Sequence, residues 1–209
     1  MATYEEIYGK RVKDFDSDPT LESSYEGQVW YDKSTGVLKS VVALEAFSSG
    51  SNSTRAASNV GSFGTQTAAI QCGGFDPVTP SPGVSGLTEE YNGSGWASGG
   101  NINTARRYLS GFGTQTAGAV TGGFVDSPSA TDVGLTEEYN GTAWTESGDL
   151  PQVIRHNCAS GTQTAGLAWG GNYNASPPFT QEDRSDEYNG TSWTAGGDMN
   201  TARSVLMGC

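Results

Sequence analysis

The chain has 209 residues, 34% of them hydrophobic and 16% charged, with 30 glycines and a formal net charge of −12. All four lysines lie in the first 39 residues and residues 51–209 set six arginines against fourteen acids, which excludes a basic patch for nucleic acid or anionic membrane; no apolar run approaches the ~20 residues of a membrane span. Five Trp and nine Tyr argue for order despite the Gly/Ser/Thr/Asn richness, and the scattered Cys72, Cys158 and Cys209 read as small buried hydrophobes rather than a disulfide framework or a metal site.

The N-terminal "MATYEEIYGKRVKDF" has no apolar stretch and opens with acids, so it does not read as a secretory signal. Further on, "YEGQVWYDKSTGVLKSVV" predicts a short hairpin with Ser34-Thr35-Gly36 at its turn. Residues 1–50 share no landmark with the remainder of the chain, which predicts a small β segment at 1–50 and a second domain at 51–209.

From residue 51 the chain repeats itself. "GTQTA" begins at Gly64, Gly113 and Gly161, and a diglycine comes nine residues after each start: Gly73-Gly74, Gly122-Gly123, Gly170-Gly171. "TEEYNGSGW", "TEEYNGTAW" and "SDEYNGTSW" place tyrosines at Tyr91, Tyr139 and Tyr188 and tryptophans at Trp96, Trp144 and Trp193. An arginine closes each unit at Arg106, Arg155 and Arg203, with Arg55 before the first. Such periodicity marks one supersecondary unit used several times.

Each unit reads as four short strands: one after the arginine ("RRYLSGF"), one at "TQTAGAVTGG", then a Pro/Ser/Asp-containing loop, then "LTEEY" and "TAWTES". Asn-Gly between the last two predicts a two-residue type I′ hairpin. Tyr91 is then opposite Ser94, with Tyr91 and Trp96 as diagonal neighbours on one face. No segment carries a 3.6-residue apolar period, so very little helix is expected.

An arginine, a strand ending in diglycine, an acid-Tyr pair and a Trp shortly after resemble the kelch motif. The matching positions are Gly73-Gly74, Glu90, Tyr91, Trp96 and Arg106 with their equivalents, over roughly residues 55–209. The resemblance implies an all-β fold in which each repeat of about 49 residues is a four-stranded antiparallel blade of a β-propeller. Three hairpins fall short of the roughly four to eight blades of a closed ring, and "RSVLMGC" stops midway into a fourth unit. Part of a longer protein is the favoured expectation, because ending inside a blade leaves a strand edge unpaired; the other is a homo-oligomer that completes the ring.

Catalysis finds little to work with. Glu89-Glu90, Glu137-Glu138 and Asp186-Glu187 are adjacent in strands and so point to opposite faces. One acid per unit is expected to tie to the arginines Arg55, Arg106, Arg155 and Arg203. The single histidine, His156, has no second histidine for a metal site. "NGS" and "NGT" read as turns rather than glycan acceptors, and the diglycines lack the helix and lysine of a phosphate cradle. No enzyme activity, cofactor or metal is expected.

The loops between diglycine and third strand differ completely between units: "FDPVTPSPGVSGL", "FVDSPSATDVGL" and "NYNASPPFTQEDR". Variable loops on a rigid scaffold are where recognition is expected, with Asp76, Asp126, Asp132, Tyr173 and Phe179 as candidate contacts for a host-surface glycan or protein. The segment "YEGQVWYDKSTGVLKSVV" is similar to N-terminal parts of bacteriophage tail-fibre and tail-tip proteins, and the repeat style resembles structural proteins of marine phages. This resemblance implies a virion protein, assembled in the host cytoplasm, whose N-terminal segment anchors to other virion proteins and whose propeller serves attachment. A cellular kelch-type interaction scaffold and a carbohydrate-binding module are the alternatives.

Overall fold

The computed structural model describes residues 13–17, 29–40, 50–78, 83–128, 130–173 and 179–205. The chain divides into two compact units, Met1–Ser49 and Gly50–Cys209. Cys209, and with it the end of "RSVLMGC", lies outside the described residues.

In the first unit β1 (Lys13–Phe15) pairs parallel with β2 (Val29–Asp32), which turns back antiparallel onto β3 (Val37–Ser40). The hairpin spans Ser34-Thr35-Gly36, with the Gly36 N–H donating to the Asp32 carbonyl at 2.8 Å. The Asp32 carboxylate holds the turn by accepting from Lys39 Nζ at 2.8 Å and from the Ser34 hydroxyl at 2.7 Å. These donors, Lys39 foremost, keep its carboxyl well below the usual carboxylate range. The parallel partner β1 has no alternating pattern in the sequence to announce it.

The second unit is a row of three four-stranded antiparallel sheets, each in chain order, an all-β and β-propeller-like architecture. Sheet 1 is β4 (Gly61–Thr65), β5 (Ala68–Cys72), β8 (Thr88–Tyr91) and β9 (Trp96–Ser98). Sheet 2 is β10 (Ser110–Thr114), β11 (Ala117–Thr121), β14 (Thr136–Tyr139) and β15 (Trp144–Glu146). Sheet 3 is β16 (Cys158–Thr162), β17 (Ala165–Trp169), β20 (Ser185–Tyr188) and β21 (Trp193–Ala195). The first strands form the inner edge, β4 packed on β10 and β10 on β16. Between second and third strands lie two-stranded ribbons: β6 (Phe75–Asp76) with β7 (Gly83–Val84), β12 (Phe124–Val125) with β13 (Thr131–Asp132), and β18 (Asn172–Tyr173) with β19 (Thr180–Gln181).

The hairpin between the last two strands differs from the expected two-residue turn. Tyr91 is directly opposite Trp96, Tyr139 opposite Trp144 and Tyr188 opposite Trp193, so the loop has four residues. Its asparagine is the reason: Asn92 Oδ1 accepts from the N–H groups of Ser94 and Gly95 at 3.0 and 2.9 Å, and Asn92 N–H closes onto the Gly95 carbonyl at 3.1 Å. Of the Asn-Gly pair only the glycine has positive φ, +88° at Gly93, whereas a type I′ turn needs two. The aromatic pairs are therefore face to face across the strands, with ring centroids 5.1, 4.8 and 4.7 Å apart.

Packing between sheets obeys one pattern. Alternation gives each sheet a far face, toward the next sheet, and a near face, toward the previous one. Phe63 on the far face of sheet 1 lies on Gly118 of sheet 2, edge-on to Trp144 at 6.2 Å. Phe112 of sheet 2 lies on Gly166 of sheet 3, edge-on to Tyr188 and Trp193 at 6.0 and 5.9 Å. Around the first joint Ile70, Cys72, Leu109 and Val120 complete an apolar core, and around the second Ala119, Ile154 and Ala168. Burial drives the Cys72 thiol up to about 12, so it packs as a hydrophobe.

Polar bonds cross the same joints. Tyr139 donates its hydroxyl to Glu90, and Tyr188 to Glu138 at 2.6 Å. With burial as the main cause, both phenols are pushed up to about 12. Gln115 Nε2 donates to the Ala69 and Tyr91 carbonyls, and Gln163 Nε2 to those of Gly118 and Tyr139, all at 2.8–3.1 Å. The second acid of the first two pairs, Glu90 and Glu138, is thus a joint residue. The first is a buried cap: Glu89 accepts from Ser53 and Thr54, Glu137 from Asn103, Thr104 and Arg106.

The four arginines do not share one position. Arg106 and Arg203 correspond, each passing its carbonyl to the previous diglycine, at Gly74 and Gly171 (2.9 Å each). In the unit between, that bond to Gly123 comes from Ile154, so Arg155 stands one residue late. Arg106 meets the acid cap of its own sheet, Glu137. Arg55 turns to Asp76, Arg155 to Asp132, and Asp186 is bound instead by Arg184, Nε to Oδ2 at 2.8 Å. The diglycine itself is needed where the lead-in crosses: Gly74 has φ +92°, and a Cβ there would sit 2.6 Å from the Ser58 carbonyl.

Candidate functional site

Antiparallel order puts the ribbons and the lead-in segments at one end of the strands in every sheet and the tight turns at the other. Each lead-in docks on its ribbon by a single bridge, Ser58 to Phe75, Arg107 to Phe124 and Arg155 to Asn172. The next residue is forced into the left-handed region: Asn59, Tyr108, His156 and Val205 have φ of 54–61°. This turns their backbone groups toward one another, and a staircase of bonds climbs from unit to unit. Tyr108 N–H donates to Asn59 O, His156 N–H to Tyr108 O and Val205 N–H to His156 O, at 2.9, 3.0 and 3.1 Å.

The bridged positions carry a row of alternating rings and guanidinium groups. Arg107 lies 5.6 Å from the Phe75 ring and 5.3 Å from Phe124; Arg155 lies 4.8 Å from Phe124 and 5.1 Å from Phe179. The row Phe75–Arg107–Phe124–Arg155–Phe179 runs from the first two ribbons to the residue before β19 in the third, with Tyr108 5.0 Å from Arg107. Cation–π stacking orders the guanidinium planes, and the row ends on Phe179, 48% exposed.

The five residues expected to face a ligand part company here. Asp76 and Asp132 are buried, 4% and 5% exposed, and are corrected to structural partners of Arg55 and Arg155 at 3.8 and 3.3 Å. Burial raises the pKa of Asp132 against the pull of Arg155. Asp126 stays at the surface, paired with Arg107 at 3.0 Å. Tyr173 is half-buried on β18, and the exposed Phe179 directly precedes its partner strand β19. Sequence reasoning does not single out Arg107, Tyr108, Phe75 or Phe124, although "GGF" recurs at 73–75 and 122–124. Among the described residues no three His, Cys, Asp or Glu side chains group as a metal site, and no helix is long and apolar enough to cross a membrane.

His156 stacks on Tyr108 with centroids 4.1 Å apart, its Nδ1 3.3 Å from Asn172 Oδ1. Burial lowers its pKa below the ordinary 6.5, with the Asn172 contact opposing. The folded chain then binds fewer protons than the unfolded chain. Stability present at neutral pH is therefore lost as pH falls through 6.5 toward the folded value. In thermal melts from about pH 7 to pH 5 the wild type is expected to lose ground against His156→Asn, whose asparagine tolerates positive φ; a pH-independent difference would exonerate His156.

No family model matches the chain, and no curated protein matches it. Among solved structures, that of YjhT is similar, with a TM-score of 0.61 at 9% identity over 85% of this chain and 63% of that one. The chain thus spans less than two thirds of that structure's length, and at this identity the likeness is one of fold alone.

Proposed function

We infer that the chain is a recognition module of kelch-like propeller blades, one per repeat of about 49 residues, carried on a phage virion as a tail fibre, tail tip or other appendage. Its ribbon end contacts the host surface, and residues 1–50 attach it to other virion proteins. Support for the virion setting is the resemblance borne by "YEGQVWYDKSTGVLKSVV" and by the repeat style. The recognition role is carried by one observation: the row of stacked rings and guanidinium groups that ends on exposed Phe179.

A bare aromatic face beside charged, hydrogen-bonding groups suits the apolar face and hydroxyl rim of a sugar ring. Weak single contacts gain strength when many copies engage one surface. On a glycan array, Phe179→Ser and Arg107→Ala are each expected to weaken binding by about tenfold or more, the loss of roughly 1.4 kcal/mol. Binding that survives both changes would reject the ribbon end as the site. Particles purified from lysates that contain no peptide of this chain would reject the virion setting.

A further inference from the structure

Where a lead-in packs on its own sheet, the first two units place a guanidinium group. Arg106 lies fully buried against sheet 2, with Nε on the Gly122 carbonyl and Nη1 on Glu137. In sheet 1 the corresponding carbonyl, that of Gly73, accepts from Arg55 Nη2 at 3.0 Å. Sheet 3 repeats the backbone of sheet 2 with different side chains at this place. Counted from the first residues of the strands, Ile154 stands for Arg106, Asn157 for Leu109, Ala168 for Val120, Arg184 for Leu135 and Asp186 for Glu137. These exchanges remove a long cation, shorten the acid by a methylene and trim valine to alanine. They leave a hollow of about 10 Å³ between lead-in and sheet, whose lining includes Ile154, Asn157, Ala168, Gly170, Arg184 and Asp186.

One side chain in that lining has no partner. Asn157 is 6% exposed, and neither its Nδ2 nor its Oδ1 makes a hydrogen bond among the described residues. A dry amide at that depth is costly, because water bonded both of its ends in the unfolded chain. The residue is also pinned in place. Its carbonyl accepts from the Ser110 hydroxyl of sheet 2 at 2.5 Å, and His156 before it is held by the staircase bond to Tyr108. Leucine, the residue of sheet 2 at this position, needs no polar partner there; the amide does.

We propose that this hollow is a binding site for one internal water molecule, which takes the place of the Arg106 guanidinium. The water accepts from Asn157 Nδ2–H and donates to the Gly170 carbonyl and to the Asp186 carboxylate, the usual three bonds of an internal water. Size selects it: the hollow is at the lower end of the roughly 10–15 Å³ that a single water requires, which is too little for any organic ligand. Charge excludes a metal ion. Asp186 is already matched by Arg184, Nε to Oδ2 at 2.8 Å and Nη2 to Oδ1 at 2.6 Å, so a further cation would bring an unpaired charge to a buried place. A neutral molecule that both donates and accepts satisfies all three groups. Sheet 3 is thus tied to its lead-in by solvent where sheet 2 is tied by its own chain.

Oxygen-17 magnetic relaxation dispersion on the full chain counts the waters held for longer than the molecule takes to tumble, and so tests the site. Wild type is compared with two variants that reach the hollow from opposite walls. Asn157→Leu restores the residue of sheet 2 and removes the donor; Ala168→Val fills the space from the sheet. Each is expected to hold one long-lived water fewer than wild type, whereas Asn157→Ser, which keeps a hydroxyl there, retains it. Unchanged tryptophan emission shows that each variant is folded, and either of the first two suffices if the other is not. A crystal structure of the wild type should show one water about 3 Å from Asn157 Nδ2. An equal count of long-lived waters in wild type and every folded variant overturns the proposal. So does a crystal structure in which the Asn157 amide bonds a protein group or a metal ion fills the hollow.

Discussion

Replacing Arg106 with leucine is expected to cost about 3–5 kcal/mol, the penalty for leaving a buried charge without its partner. Arg106 is fully buried; its Nε donates to the Gly122 carbonyl and Nη1 to the Thr104 carbonyl, each at 3.0 Å, and Nη1 also meets Glu137. Glu137 is 1% exposed and caps the lead-in through the N–H groups of Asn103 and Thr104 at 2.6 and 3.2 Å. Removing the guanidinium thus strands a carboxylate that cannot withdraw without unpinning the segment that enters sheet 2. Against a total stability of about 5–15 kcal/mol, that loss shows as a large fall in the urea midpoint. Adding Glu137→Gln removes the charge and keeps an acceptor oxygen for one of the two amides, which bond separate oxygens of Glu137, so the double variant is expected to regain part of the loss. No recovery would mean that Arg106 acts through its packing and carbonyl bonds, and that the ion pair contributes little.

That arginine also shows why the sequence is legible in some places and misleading in others. Tyrosine, tryptophan and diglycine landmarks are local: a cross-strand pair and a left-handed corner depend on residues a few positions apart, and they fall where the spacing puts them. The hairpin loop misleads because Asn-Gly states a preference for positive φ, whereas Asn92 commits its side chain to two amides and so favours the four-residue loop. The arginine phase misleads for a longer-range reason. The lead-ins of sheets 2 and 3 are equally long, Trp96 to Ser110 and Trp144 to Cys158, but the arginine falls one place later in the second, so Ile154 takes the slot of Arg106. Counting from arginine to arginine hides that offset; counting from the tryptophan or the strand reveals it. At the ribbon end Asp76 and Asp132 look like loop acids, because their partners, Arg55 and Arg155, lie more than twenty residues upstream or downstream. The Phe-on-Gly joint is written in the sequence as well, but alternation gives only the face a side chain occupies and says nothing of the sheet it meets.

Phe112→Ala is the sharper test of that joint, with an expected cost of about 3–5 kcal/mol for a large-to-small change in a core. Phe112 is 2% exposed and spans the boundary, with its ring on the Gly166 backbone and its edge toward Tyr188 and Trp193. No neighbour can move into the space, because Gly166 has no side chain to extend and the Tyr188–Trp193 pair is held by Tyr188 to Glu138 and Trp193 Nε1 to Thr136 at 2.9 Å. Phe63→Ala should cost less, since Phe63 is only half-buried at the edge of its core. Location of the loss matters as much as its size. A row of sheets that touch only their neighbours loses cooperativity at its weakest joint, so hydrogen exchange in β16, β17, β20 and β21 should accelerate while β4 and β5 stay protected. Exchange that rises equally in all three sheets would show that the unit unfolds as one body, and that the joints share their load across the whole row.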